Sequence, residues 1–148
     1  MLTSMADHDS VRARSSPDVN ARIDRETMQR LRHFADGELD ALQGHLQHLG
    51  REWDIDRVLE VNAAAIGLAG LALGVAHDRR WLVVPAVVLS LLGLHAVQGW
   101  CPPVPLLRRS GVRTRQEIER ERYALKGMRG DFEGTTGRSQ AAWRAVRS

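Results

Sequence analysis

Hydrophobic positions change their period twice along the chain, and each change marks a boundary. Between residues 23 and 53, Leu31, Ala35, Leu39, Leu42, Leu46, Leu49 and Trp53 recur at steps of three and four. That spacing puts side chains on one face of an α-helix. The opposite face carries Arg30, Arg32, Asp36, Glu38, Asp40, Gln43 and Gln47. The pattern predicts an amphipathic helical arm over residues 21–53. Gly37 and Gly44 are its weak points, since a helical glycine costs about 1 kcal/mol against alanine. Such a stripe can pack on a partner helix or a second copy, cover a small core, or lie on a bilayer. Its polar face is not strongly basic, which favours packing over adsorption.

The period then disappears. Residues 58–76 (VLEVNAAAIGLAGLALGVA) hold one acid and one amide, and residues 81–97 (WLVVPAVVLSLLGLHAV) hold no charged side chain except His95 when protonated. Both runs are apolar all the way round, as in a helix whose surroundings are lipid or deep core. At 1.5 Å per residue each crosses most of a hydrocarbon layer about 30 Å thick. Pro85 falls in the first turn of the second run, where a missing N–H breaks no helical bond. The tetrapeptide His77-Asp78-Arg79-Arg80 between the runs forces them to be antiparallel neighbours. The predicted fold class is therefore all-α: a membrane hairpin of two transmembrane helices, residues 54–105, flanked by cytoplasmic amphipathic helices.

Tryptophan and arginine placement agree with a bilayer. Trp53 precedes the first run, while Trp81 and Trp100 bracket the second. Tryptophan favours the headgroup level. Trp53, Arg57 and Trp100 are thus expected at one interface and Trp81 at the other. Arg51, Arg57, Arg108, Arg109, Arg113 and Arg115 flank the outer ends, against Arg79 and Arg80 in the turn. The positive-inside rule then places both termini in the cytoplasm.

The flanks read as lesser elements. Residues 1–20 are polar and mixed in charge, and predict a disordered lead-in without the apolar core of a signal peptide. Cys101-Pro102-Pro103-Val104-Pro105 must turn the chain along the membrane surface. Thr114-Arg115-Gln116-Glu117 has the form of a capping box and opens a charged juxtamembrane helix within residues 106–132, ended by Gly130. Residues 133–148, rich in Gly, Ser and Arg, predict a flexible tail.

Composition narrows the function classes. A chain of 148 residues with mean hydropathy -0.30 is not membrane-embedded throughout. The net charge of +3 is almost all arginine, because Lys126 is the lone lysine. The arginines suit phosphate, but their clustering beside the apolar runs is accounted for by topology and anionic lipid, so no nucleic-acid partner is expected. A single cysteine excludes a disulfide framework or a paired redox motif within one chain. No P-loop, dinucleotide fingerprint, nucleophile elbow or HExxH is present, so no catalytic residue and no cofactor is expected. His45 and His48 lie one turn apart, yet no third ligand accompanies them, and no metal is expected.

Three groups of residues could still carry function. Glu60, Asn62, His95 and Gln98 intrude into the apolar runs near their outer ends, an intramembrane polar cluster in which Glu60 would hold His95 protonated, or which simply bonds helix to helix. Gly67, Gly70 and Gly74 on the first run, with Ser90 and Gly93 on the second, form small-residue stripes that let helix backbones approach in lipid. The polar and small faces diverge, so one hairpin contact cannot bury both, and a homo-oligomer is expected. Cys101 is a candidate reactive thiol, although the negative pole of the helix it ends should raise its pKa.

Residues 53–132 resemble the YgaP-like transmembrane domain family of small bacterial inner-membrane hairpins. The resemblance rests on Asp56-Arg57, the Gly-rich first run, the short turn, the second run, and Gly99-Trp100-Cys101-Pro102. The continuation GVRTRQEIERERYALKGMRGDF is similar to a longer-tailed subgroup. Glu60 stands where the family tends to carry a second arginine, and Val104 replaces a frequent aromatic. The resemblance implies an inner-membrane location and dimer formation. It also implies sulfur handling with a cytoplasmic sulfurtransferase as partner, since the family is known best fused to a rhodanese sulfurtransferase domain, which this chain lacks. The expectation is thus a non-enzymatic anchoring or oligomerisation module in the lipid bilayer. Alternatives are an accessory to sulfur or thiol transfer through Cys101 and a proton- or ion-linked membrane subunit.

Overall fold

The structure, a computed structural model, describes residues 9–35, 37, 39–98, 101–135 and 137–147. Among them the chain is all-α, with eight helices and no strand. These are α1 (Ser10–Ala13), α2 (Pro17–Ala35), α3 (Leu39–Leu49), α4 (Ile55–Ala76), α5 (Val83–Gln98), α6 (Val104–Arg109), α7 (Arg115–Arg129) and α8 (Ser139–Arg147), with a 3-10 turn at Arg79–Leu82 before α5. They form two compact units, one of Met1–Ala21 and Trp53–Arg115, the other of Arg22–Glu52 and Gln116–Ser148. The five consecutive segments expected from composition are therefore regrouped: pieces far apart in sequence share a core.

In the first unit α4 and α5 pack as an antiparallel hairpin. Asp54 caps α4, its Oδ1 accepting from the Arg57 N–H at 2.8 Å, and so starts the helix three residues before the apolar run. At the tight end Asp78 Oδ1 accepts from the Arg80 N–H at 2.8 Å and starts the 3-10 turn. The hairpin closes on two glycines. A Cβ on Gly70 would stand 2.8 Å from Pro85 Cδ and from Val84 Cβ, and one on Gly74 would stand 2.5 Å from Leu82 Cδ2.

The segment expected to be disordered is helical from its tenth residue and docks on this unit. Val11 joins Ile55, Leu59, Cys101 and Val104 in a buried cluster, with Leu107 and Val112 against it. Polar partners complete the docking. Arg108, 1% exposed, donates to Asn20 Oδ1 at 2.6 Å and Ser15 Oγ at 3.2 Å. Thr114 Oγ1 donates to Asp9 Oδ2. Arg14 Nη1 donates to the Gln98 carbonyl at 2.6 Å, occupying an acceptor left open where α5 ends.

The second unit carries the amphipathic stripe, broken into α2 and α3. Leu42, Leu46 and Leu49 bury against Ile118 and Leu125 of α7, with Leu31 and Phe34 beside them. Gly37 sits in a bend between the two helices; Asp36 and Glu38 lie outside the described residues. The interruption turns Leu39 outward, 68% exposed. The tail expected to be flexible forms α8, whose Ala145 is buried. Lys126 fixes its end, donating to the Val146 carbonyl at 2.9 Å and the Ala145 carbonyl at 3.3 Å. A cation at the C-terminal end of a helix is favoured by the helix dipole.

Candidate functional site

The residues singled out for chemistry gather at the open end of the hairpin, where α4 begins and α5 ends. His95 Nε2 lies 3.1 Å from Asp56 Oδ1, so the imidazole is paired with Asp56 and not with Glu60. Helix geometry accounts for the exchange. At about 100° per residue, Asp56 projects about 40° from the direction of Gly70, which faces α5, and Glu60 about 80°. Glu60 is exposed. The His95 side chain is 12% exposed and the Asp56 carboxylate 58%. His95 Nδ1 is buried without a hydrogen-bond partner. Asn62 returns its amide N–H to Val58 O on its own helix at 2.7 Å, and the Gln98 side chain is exposed. The four polar residues therefore do not form one cluster.

The small residues divide in the same way. Gly70 and Gly74 make the hairpin contact, whereas a Cβ on Gly67 or Gly93 would meet nothing within 4 Å. Ser90 is exposed and donates to Ala86 O at 2.8 Å. At about 100° per residue Gly67 lies about 60° from Gly70, far enough round α4 to miss α5.

Cys101 is buried, 3% exposed, among Val11, Ile55, Leu59 and Val104. Burial pushes its thiol above the ordinary value, and the Val104 backbone N–H pulls less strongly the other way. A solvent-facing nucleophile is the opposite arrangement, because the thiolate is the reactive form. Trp53 is 51% exposed and lies under the Arg57 guanidinium, whose Cζ is 5.8 Å from the ring centroid. Trp81, 42% exposed, stands at the tight end. Trp100 lies outside the described residues.

The second unit holds an arrangement that the sequence did not announce. Glu121, fully buried, accepts from Arg30 Nε at 2.8 Å and Nη2 at 3.0 Å, and its Oε1 is 3.0 Å from His45 Nε2. The His45 ring stacks on Phe34 with centroids 4.7 Å apart. His45 is thereby a structural partner of a carboxylate, and among the described residues no group of three His, Cys, Asp or Glu is placed to hold a metal ion. The only sequence signal was weak: Glu121 lies four residues from Leu125 and three from Ile118, on the apolar edge of α7.

Comparison with family models, curated proteins and solved structures returns no match to this chain. The resemblance of residues 53–132 to a bacterial hairpin family thus rests on its short motifs alone.

Proposed function

We propose that this chain is an integral protein of the bacterial inner membrane, a non-enzymatic anchoring and oligomerisation module with both termini in the cytoplasm. One observation carries the reading. Both long helices are apolar enough to cross a bilayer, yet only 17% of the apolar window of α4 and 0% of that of Arg79–Gln98 is buried. The central helix of a water-soluble domain would be covered by its neighbours. Here the buried clusters take only Ile55 and Leu59 from the first turns of α4 and nothing from α5, and Val75, Val83, Leu89 and Val97 stand between 62% and 86% exposed. Contiguous apolar surface on this scale marks contact with lipid or with other protein.

The oligomer follows from the glycines. Gly67 and Gly93 leave open ground on the outer face, and close helix approach in lipid depends on such small residues. Fusing phosphatase or a fluorescent protein to each terminus tests the topology: fluorescence from both fusions is expected, and phosphatase activity from either contradicts it. Cross-linking in native vesicles tests assembly. Gly67→Ile or Gly93→Ile should lower the dimer fraction, and an unchanged fraction in both contradicts the module role.

A second reading, proton handling, is favoured by the Asp56–His95 pair at the open end of the hairpin. Flux into proteoliposomes abolished by His95→Ala would support it.

A further inference from the structure

The first unit contains an apolar cavity of about 330 Å³ bounded by α4, α5 and α6. Leu59, Ala63 and Ile66 of α4 form one wall, Val88 and Leu91 of α5 the second, and Leu107 of α6 the third. Asn62 supplies the polar side chain of the lining, and its amide N–H is directed to Val58 O. What the walls offer a ligand is hydrocarbon. The volume is at the small end of the range of ligand pockets, and an apolar cavity does not retain water.

Three features say what fills it. Its rim includes Ile66, 50% exposed, and Leu106, 71% exposed, so the cavity opens sideways onto the bare apolar surface of the hairpin. It runs from the middle of the hairpin, at Ile66 and Val88, towards the open end at Leu59, within one leaflet if the hairpin spans a bilayer. At the level where that leaflet ends stand Trp53 with Arg57 over its ring, and α6, which finishes in the exposed Arg109. The open ground at Gly67 and Gly93, where the contact with a second copy is proposed, lies on other faces of the helices.

We propose that this cavity seats one acyl chain of a phospholipid from the cytoplasmic leaflet, held between the hairpin and α6. The site rests on the membrane reading above, and the experiment separates the two. The full chain is reconstituted in phosphatidylcholine–phosphatidylglycerol vesicles containing a small fraction of phosphatidylcholine with a diazirine in mid-chain. After irradiation, the adducts are mapped by peptide mass spectrometry. The expected result is adducts several-fold denser at Ala63, Leu91 and Leu107 than at Leu68 and Leu89, which are more exposed to the same lipid. Ala63→Trp, which fills the cavity, should remove the excess at Leu91 and Leu107 and leave Leu68 and Leu89 labelled as before. Should that variant fail to insert, dilution with unlabelled phosphatidylcholine serves instead. A retained lipid makes the cavity adducts fall later than the surface ones. Adducts that simply follow exposure along both helices overturn the lipid site while leaving the hairpin in the membrane. Absence of adducts from both helices overturns the membrane reading itself.

Discussion

The hairpin closes where a methyl group does not fit, and that makes alanine at Gly70 a quantitative probe of the packing. The Cβ it introduces would lie 2.8 Å from Pro85 Cδ and from Val84 Cβ, about 0.6 Å inside the 3.4 Å at which ordinary contact begins. Neither neighbour can swing away, because one belongs to a closed ring and the other is bonded directly to the backbone. α5 must therefore withdraw. Overpacking of this kind costs about 1–3 kcal/mol, offset by alanine's helix preference of about 1 kcal/mol over glycine. The net expectation for Gly70→Ala is a loss of up to about 2 kcal/mol. Gly67→Ala meets open space and keeps only the favourable part, so it should be neutral or stabilising. Reversible unfolding of the full chain in mixed micelles by added SDS, followed through tryptophan fluorescence, compares the two directly. A midpoint that falls for Gly70→Ala and holds or rises for Gly67→Ala is expected. Equal shifts for both variants would refute the packing described here.

Other consequences are open to test. Arg30→Met removes two donors from buried Glu121. Bonds to a charged group are worth about 1.5–3 kcal/mol, and Arg30 is partly exposed, so the second unit should lose an amount near the lower end, seen as earlier melting by far-UV circular dichroism. Cys101 should react slowly with maleimide in the folded chain and quickly once unfolded, and its folded-state rate should keep climbing above pH 9 because burial raises the thiol pKa; fast labelling at pH 7 would contradict its burial. Lys126 is held below its ordinary 10.5, chiefly by burial and next by Arg122. Between the lowered value and 10.5 the unfolded chain binds more protons, so Lys126 makes stability rise with pH across that window. Lys126→Met should abolish that slope and expose residues 139–147 to limited proteolysis.

What could be read from the sequence follows from where the information lies. Both long apolar helices were legible because residues 58–76 and 81–97 hold so few polar side chains that few alternatives are left, and the tight turn then dictated their pairing. The Leu42–Leu46–Leu49 stripe was legible for the same reason, being a local period. The break near Gly37 removes Leu39 from the stripe, and Trp53 lies beyond the end of α3. The docking of residues 9–20 was not legible, since it depends on Asp9–Thr114 and Asn20–Arg108, polar pairs about ninety or more positions apart. The Glu121–Arg30–His45 arrangement escaped likewise: no period reports which charged side chain a tertiary partner will bury. At the open end of the hairpin the error was angular. Nearness along the helix ends offers Glu60 as the partner of His95, whereas rotation about the helix axis selects Asp56.

In the proposed function lipid, not protein, covers most of α4 and α5. Washing membranes from cells expressing the full chain with alkaline carbonate tests it most directly. The protein is expected to stay in the pellet and to be released only by detergent. Recovery in the aqueous supernatant as a monodisperse particle, without detergent, would contradict it.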